Sequence, residues 1–180
     1  YNAYGIRVFA TGGYSPEGNQ ARIFDTANPG TVNNGDPDLG SPNEDCPTPG
    51  SGVGVNGAQG SPYANCVALG NIIIVQEENK MQPDDQGLGG NITLTFANPV
   101  KIEHVSLLDI DETADNIYVH QKDGTITKFP YAMTGHNSLQ KVRINLFDVV
   151  EIKTVFMKSG ALVDVGICFT CSEPNGCLPV

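Results

Sequence analysis

The sequence predicts an all-β protein: an antiparallel β-sandwich, of jelly-roll type, with long loops. Three observations carry this. No ten-residue segment shows a 3.6-residue apolar period, whereas many show period-2 alternation or short apolar runs. The 21 glycines and 12 prolines fall largely between those runs, as turns do between strands. At 180 residues the chain suffices for one domain with a real core.

The elements follow in order. "YGIRVFA" (4–10) and "NQARIFD" (19–25) read as the first two strands. "NIIIVQE" (71–77) is a continuous apolar run between turn residues, which predicts a central strand. "NITLTFA" (91–97) alternates, with Ile92, Leu94 and Phe96 on one face. "KIEHVSLLD" (101–109) starts by alternating and ends fully apolar. "NIYVHQ" and "TITKFP" flank Asp123-Gly124, a hairpin signal. "KVRINL" (141–146), "VVEIKTVFM" (149–157) and "ALVDVGICF" (161–169) complete a set of about ten short strands, the last two joined at Ser159-Gly160. No linker divides the chain, so residues 1–180 read as one domain. Residues 1–18, with Tyr1, Tyr4, Phe9 and Tyr14, form either the first strand or an arm that adds to a neighbouring sheet edge. Residues 168–180 form a cysteine-rich tail.

A stretch of some 45 residues, Thr26 to Gly70, has no regular pattern. Such loops are uncommon in a compact domain unless they carry function. Ordering a backbone costs on the order of 1 kcal/mol per residue. The loop's large apolar side chains (Val32, Leu39, Val53, Val55, Tyr63, Val67, Leu69) are too few to offset that. Cys46 and Cys66 bracket part of it, and Cys168, Cys171 and Cys177 cluster at the other end. In a secreted chain these read as disulfide cysteines, with Cys46, Cys66, Cys168 and Cys177 assigned to bridges and the fifth left over. Closing the Cys46–Cys66 loop is worth about 3 kcal/mol in the chain-entropy model. The pairing in the tail is left open, and a lone CxxC does not specify zinc.

The formal charge of −10 argues against nucleic acid and anionic membrane surfaces as partners. No apolar run approaches the ~18 residues that span a bilayer. The chain opens on Tyr1 rather than Met, which reads as a processed form.

Carboxylates recur at strand ends and in loops: Asp25, Asp36, Asp38, Glu77, Glu78, Asp84, Asp85, Asp109, Asp111 and Glu112. Strand ends gather at the poles of a sandwich, so several of these groups are expected to meet at one rim. Neighbouring carboxylates repel, and a bound cation reverses the sign. Ca2+ accepts six to eight oxygens in flexible geometry, which Gly/Pro/Asp loops supply. The three histidines are scattered and show no zinc spacing.

The order "ARIFDT", "GDPDLGSPN", "GNIIIVQE", "PDDQGLGGNITLTFANPVKIEHVSLLDIDE", "SGALVDVGICF" resembles a domain pattern of secreted proteins of marine bacteria and algae. It spans roughly residues 20–170. The last piece is similar to the final strands of galactose-binding-like and other carbohydrate-binding jelly rolls. The resemblance implies an extracellular, calcium-bearing β-sandwich, with Asp25, Asp36, Asp38, Asp84, Asp85, Asp109 and Asp111 as the ligand set.

Other motifs carry less. "GVGVNG" (52–57) matches GxGxxG but follows no strand and opens no helix. "DPDLG" and "DIDETAD" lack the glycine and glutamate positions of an EF-hand. Asn91-Ile92-Thr93 is a glycosylation sequon expected at the surface. Asp109 and Asp111 are expected on one strand face at a spacing that suits paired-carboxylate chemistry. However, no tryptophan platform or nucleophile elbow accompanies them, and enzymatic activity is not expected. The expected function is a secreted, Ca2+-binding structural or adhesive module of an extracellular surface, matrix or filament. Its partners would be other extracellular proteins or copies of itself. The alternative is a calcium-dependent carbohydrate-binding module, with glycans as partners.

Overall fold

The computed structural model describes residues 4–12, 20–31, 34–77 and 82–169. Tyr1, Tyr14, Glu78, Cys171 and Cys177 lie outside them. The described chain is all-β and antiparallel, as expected. Its strands are β1 (Ile6–Gly12), β2 (Ala21–Asp25), β3 (Gly30–Thr31), β4 (Asn34–Gly35), β5 (Asn71–Val75), β6 (Gly90–Leu108), β7 (Asn116–Gln121), β8 (Ile126–Pro130), β9 (Leu139–Phe156) and β10 (Ala161–Cys168). The main sheet runs β2-β5-β10-β6-β9-β7-β8, with β1 also on β6, an order consistent with a jelly roll. β3 and β4 form a separate two-stranded ribbon in the long loop.

Two pairs of expected strands are each one strand. β6 runs 19 residues and β9 runs 18. The first part of β6 pairs with β1 and with the end of β9, whose far edge carries β7 and then β8. The second part pairs with β10 and the start of β9, and β10 carries β5 and then β2. Between the two parts the β6–β9 register slips at Thr95/Val100, Val100/Ile102 and Ile102/His104. Asn145 and Asp148 there take φ of 53° and 56°. Such bulges bend a strand without ending it, and they tolerate Pro99. One sheet can therefore fold over on itself, and a single core draws on both halves. That core contains Ile92 and Leu94 from the first half of β6 and Ile102, Val105 and Leu107 from the second, with Ile6, Ile117, Ile152 and Leu162. The arrangement is sandwich-like.

A second, smaller core explains the unbroken apolar runs. Phe24, Leu39, Ile72, Ile74, Leu108 and Ala161 form it. On β5, Ile72 and Ile74 face this cluster while Ile73 and Val75 face the main core. Leu107 and Leu108 divide in the same way, as do Leu162 and Ala161. Strands covered on both faces lose their alternation. The second cover is the long loop, which contributes Leu39. Of the loop's other large apolar residues, Val53, Val55, Tyr63 and Val67 are exposed.

Polar groups hold the loop instead. Asn43, Asn65 and Asn137 are fully buried. The Asn137 side-chain amide donates to the carbonyls of Asp38 (2.6 Å) and Gly40 (2.8 Å). Its oxygen accepts from Asn43 Nδ2 (2.7 Å) and Asn65 Nδ2 (3.2 Å). Gly57 closes against Asn137 where a Cβ would overlap the Asn137 backbone. The GxGxxG-like run is thus a close-packing feature. At the loop's base, Thr26 Oγ1 donates to Gly70 O (2.8 Å) and Ser51 Oγ to Thr26 O (2.7 Å). The Cys46–Cys66 disulfide forms as expected, closing a separation of 20 residues. Cys168 is also disulfide-bonded; Cys171 and Cys177, the other cysteines of the tail, lie outside the described residues.

Candidate metal centre

Three segments deliver aspartates to one place. Asp36 and Asp38 bracket the start of a 3-10 turn, Pro37–Leu39. Leu39, at its end, is buried in the small core and pins the turn to the sheet. Burying such a leucine is worth about 2 kcal/mol. Asp84 and Asp85 lie between β5 and β6. Glu77 N–H donates to Asp84 O (2.9 Å), and the Asp85 carboxylate accepts the N–H of Gly160. Asp109 and Asp111 follow β6, not on a shared strand face as expected. Asp109 takes a left-handed φ of 62°, which ends the strand and turns the chain. Its N–H donates to Ser138 O (2.9 Å), and its Oδ1 accepts the backbone N–H of Asn137 (2.6 Å). Ile110, between the two aspartates, is buried in the main core.

Two groups of ligand atoms result. Asp38, Asp109 and His136 place one ligand atom each within 4.8 Å of one another, as do Asp36, Asp84 and Asp85. Asp36 links the two groups, because its carboxyl lies within hydrogen-bonding reach of both Asp38 and Asp85. His136 Nδ1 stands 2.8 Å from Asp111 Oδ2 and 3.7 Å from Asp38 Oδ2.

The electrostatics of this rim are adverse without a cation. Burial, together with neighbouring carboxylates, pushes Asp36 up to about 7. Burial also pushes Asp85 up to about 7, against the Asp36 and Gly160 hydrogen bonds. Asp38 is raised by burial and then by Asp36; Asp109 is raised by burial and then by the Asp38 charge. Asp111 is raised by burial, opposed by His136. Asp109 is 2% exposed. The Asp111 side chain is only 10% exposed, and its Oδ1, like Asp38 Oδ1, is buried without a hydrogen-bond partner. A buried, unpartnered carboxylate oxygen is costly. A hard divalent cation would satisfy such oxygens.

Five of the seven expected residues fall in these two groups, and Asp111 meets the first of them through His136. Asp25 is not among them. Its Oδ1 accepts Ala27 N–H (3.0 Å) and its Oδ2 accepts Asn28 Nδ2 (2.7 Å), and these bonds hold its pKa below the ordinary carboxylate value. It caps the turn after β2, the ordinary role of an Asp at a strand end. Asn91 lies within β6, half-buried, and its amide donates to Thr11 Oγ1 (2.6 Å). Sequence reasoning missed two participants. His136 looked isolated because its neighbours come from distant segments. Asn137, which fixes the Asp109 carboxylate and the Asp38 carbonyl together, carries no motif; the only hint was its place in a polar turn, "TGHNS".

The sequence matches no family model, and no curated protein resembles it significantly. No helix among the described residues is long and apolar enough to cross a membrane.

Proposed function

We propose that this chain is a Ca2+-binding structural or adhesive module of an extracellular surface, matrix or filament. The single observation that carries the reading is the buried carboxyl cluster with two unpartnered oxygens, on Asp38 and Asp111. Asp36, Asp38, Asp84, Asp85, Asp109 and Asp111 are its ligands, joined by His136. The cation joins three segments that chain entropy would otherwise keep apart: the long loop, the β5–β6 connection and the end of β6. The Cys46–Cys66 bridge supports an extracellular setting, where disulfides persist. The partners are other extracellular proteins or further copies of this chain.

Differential scanning calorimetry tests it. Ligand linkage gives about 2.7 kcal/mol of stabilisation at a hundredfold excess over Kd. Added Ca2+ should raise Tm and excess chelator should return it. An unchanged Tm across that series would remove the basis for the proposal.

A further inference from the structure

The two halves of the folded sheet differ on their outer faces. The half built of β5, β10 and the second part of β6 is covered there by the long loop, through Leu39 and the small core. The other half, β1-β6-β9-β7-β8, has no such cover among the described residues. Register sets its side chains in rows. Phe9, Thr93, Lys153, Tyr118 and Lys128 stand side by side across all five strands. Their strand neighbours Ala10, Ile92, Ile152 and Ile117 belong to the main core, so the row points outward. At about 4.8 Å between strands it is about 19 Å wide. Lys128 Nζ lies 5.2 Å from the Tyr118 ring centre, and Arg7 projects on the same side of β1 as the exposed Phe9. Arg7, Lys128 and Lys153 take no salt bridge among the described residues. Glu151, set among them, stands 3.5 Å from His120 instead. A chain of formal charge −10 thus turns a cationic, part-aromatic face outward.

We infer that this face docks a second copy of the chain, whose Glu44-Asp45 pair meets Arg7, Lys128 and Lys153. The inference rests on the filament reading above and not on its cation. Charge complementarity selects the partner: the face is cationic, and the chain itself supplies the matching acid. Asp25 is taken by its turn, and Asp36 and Asp38 by the buried cluster. Glu44 and Asp45 belong to neither and are exposed. They are also held in place. Glu44 N–H donates to Gly52 O (2.8 Å), Asp45 N–H donates to Asn43 Oδ1 (2.9 Å), and the bridged Cys46 follows. A contact ordered in advance loses little entropy on docking. Phe9 and Tyr118 add ring surface that lysines alone lack. Position then fixes the arrangement. The loop lies over the outer face of one half, and the cationic row is the outer face of the other, so the main core separates them. The two surfaces cannot meet within one molecule. A contact between unlike surfaces on opposite sides is heterologous, and it adds copies in line rather than closing a dimer.

Sedimentation velocity of the full chain in Ca2+ buffer, over a concentration series, tests this. Species larger than a dimer should form at high concentration and recede as salt rises. Lys128→Glu/Lys153→Glu and Glu44→Lys/Asp45→Lys should each lower the association constant by roughly tenfold or more, since like charges then face each other. Mixed in equal amounts, the two variants should associate again, because each supplies the partner that the other lacks. The variant carrying all four substitutions should self-associate as the wild type does. A wild type that stays monomeric at every concentration would overturn the inference. So would association indifferent to these substitutions, a mixture that stays monomeric, or assembly that stops at a dimer. None of these results alters the calorimetric response to Ca2+, so the calcium reading stands or falls separately.

Discussion

Asn137 donates its backbone N–H to Asp109 Oδ1 at 2.6 Å, while its side-chain amide holds the Asp38 carbonyl, also at 2.6 Å. One residue thus sets the distance between two aspartates that are 71 positions apart in sequence. It does so from a left-handed backbone, φ 57°, which Asn tolerates better than most residues.

Asn137→Gly keeps that backbone and deletes the side chain. It takes one of two acceptors from each of the Asn43 and Asn65 amides, which keep Gly54 O and Gly40 O, and removes the donor that holds the buried Asp38 carbonyl. The expected loss is about 3 kcal/mol in urea unfolding, given ~1–3 kcal/mol per buried group left unsatisfied. Asn137→Ala should lose about 1 kcal/mol more, from left-handed strain. Equal stability of the two variants would show that the backbone is not strained.

The metal-free protein should become less stable as pH rises. Asp36 and Asp85 stand at about 7 in the fold, against an ordinary value of 3.8, and Asp38, Asp109 and Asp111 are also raised. A group raised on folding contributes its stability below the unfolded pKa and loses it as pH passes through the folded one. Melting in chelator should therefore give a Tm that falls between pH 4 and 8. Saturating Ca2+ should flatten or reverse that slope, because the ligands must deprotonate to bind.

Asp109→Asn separates the two states. In chelator at pH 8 it removes a buried carboxyl whose raised pKa works against folding at that pH, and should stabilise by about 1 kcal/mol or more, the worth of one pKa unit. With Ca2+ it removes a ligand and should melt below the wild type. Asp38→Asn should behave alike. Asp25→Asn and Asp123→Asn should leave the Ca2+ shift intact, since Asp25 caps a turn and Asp123 accepts Thr125 N–H in the β7–β8 hairpin.

Cys46→Ala/Cys66→Ala should cost about 3 kcal/mol. The same loop carries Asp36 and Asp38, so Ca2+ affinity by calorimetry should fall as well. A stability loss with unaltered Ca2+ affinity would mean that Asn137 and Leu39 position the turn without the bridge.

Much of this was legible in the sequence, and the gaps have physical causes. Alternation in 91–97 and the Asp123-Gly124 turn marked their strands because local chemistry sets both. The unbroken run 71–75 showed that β5 is buried on both sides but not that the loop supplies the second cover. Pro99 and the Phe147-Asp148 pair looked like breaks, yet bulges carry β6 and β9 through them. Aspartates at strand ends pointed to the rim. Whether a given one is a ligand or a cap depends on its neighbours two or three residues on. Ala27 and Asn28 occupy Asp25, whereas Asp111 Oδ1 is left without a partner. The asparagine network was illegible because Asn43, Asn65 and Asn137 meet only through the tertiary fold.

The most direct measurement is an anomalous difference map from crystals grown with Ca2+ or with Tb3+ in its place. The account predicts a peak coordinated by carboxylate oxygens of Asp38 and Asp109, within reach of Asp36, Asp85 and Asp111. A map with no peak there, and with those carboxyls paired through shared protons, would contradict it.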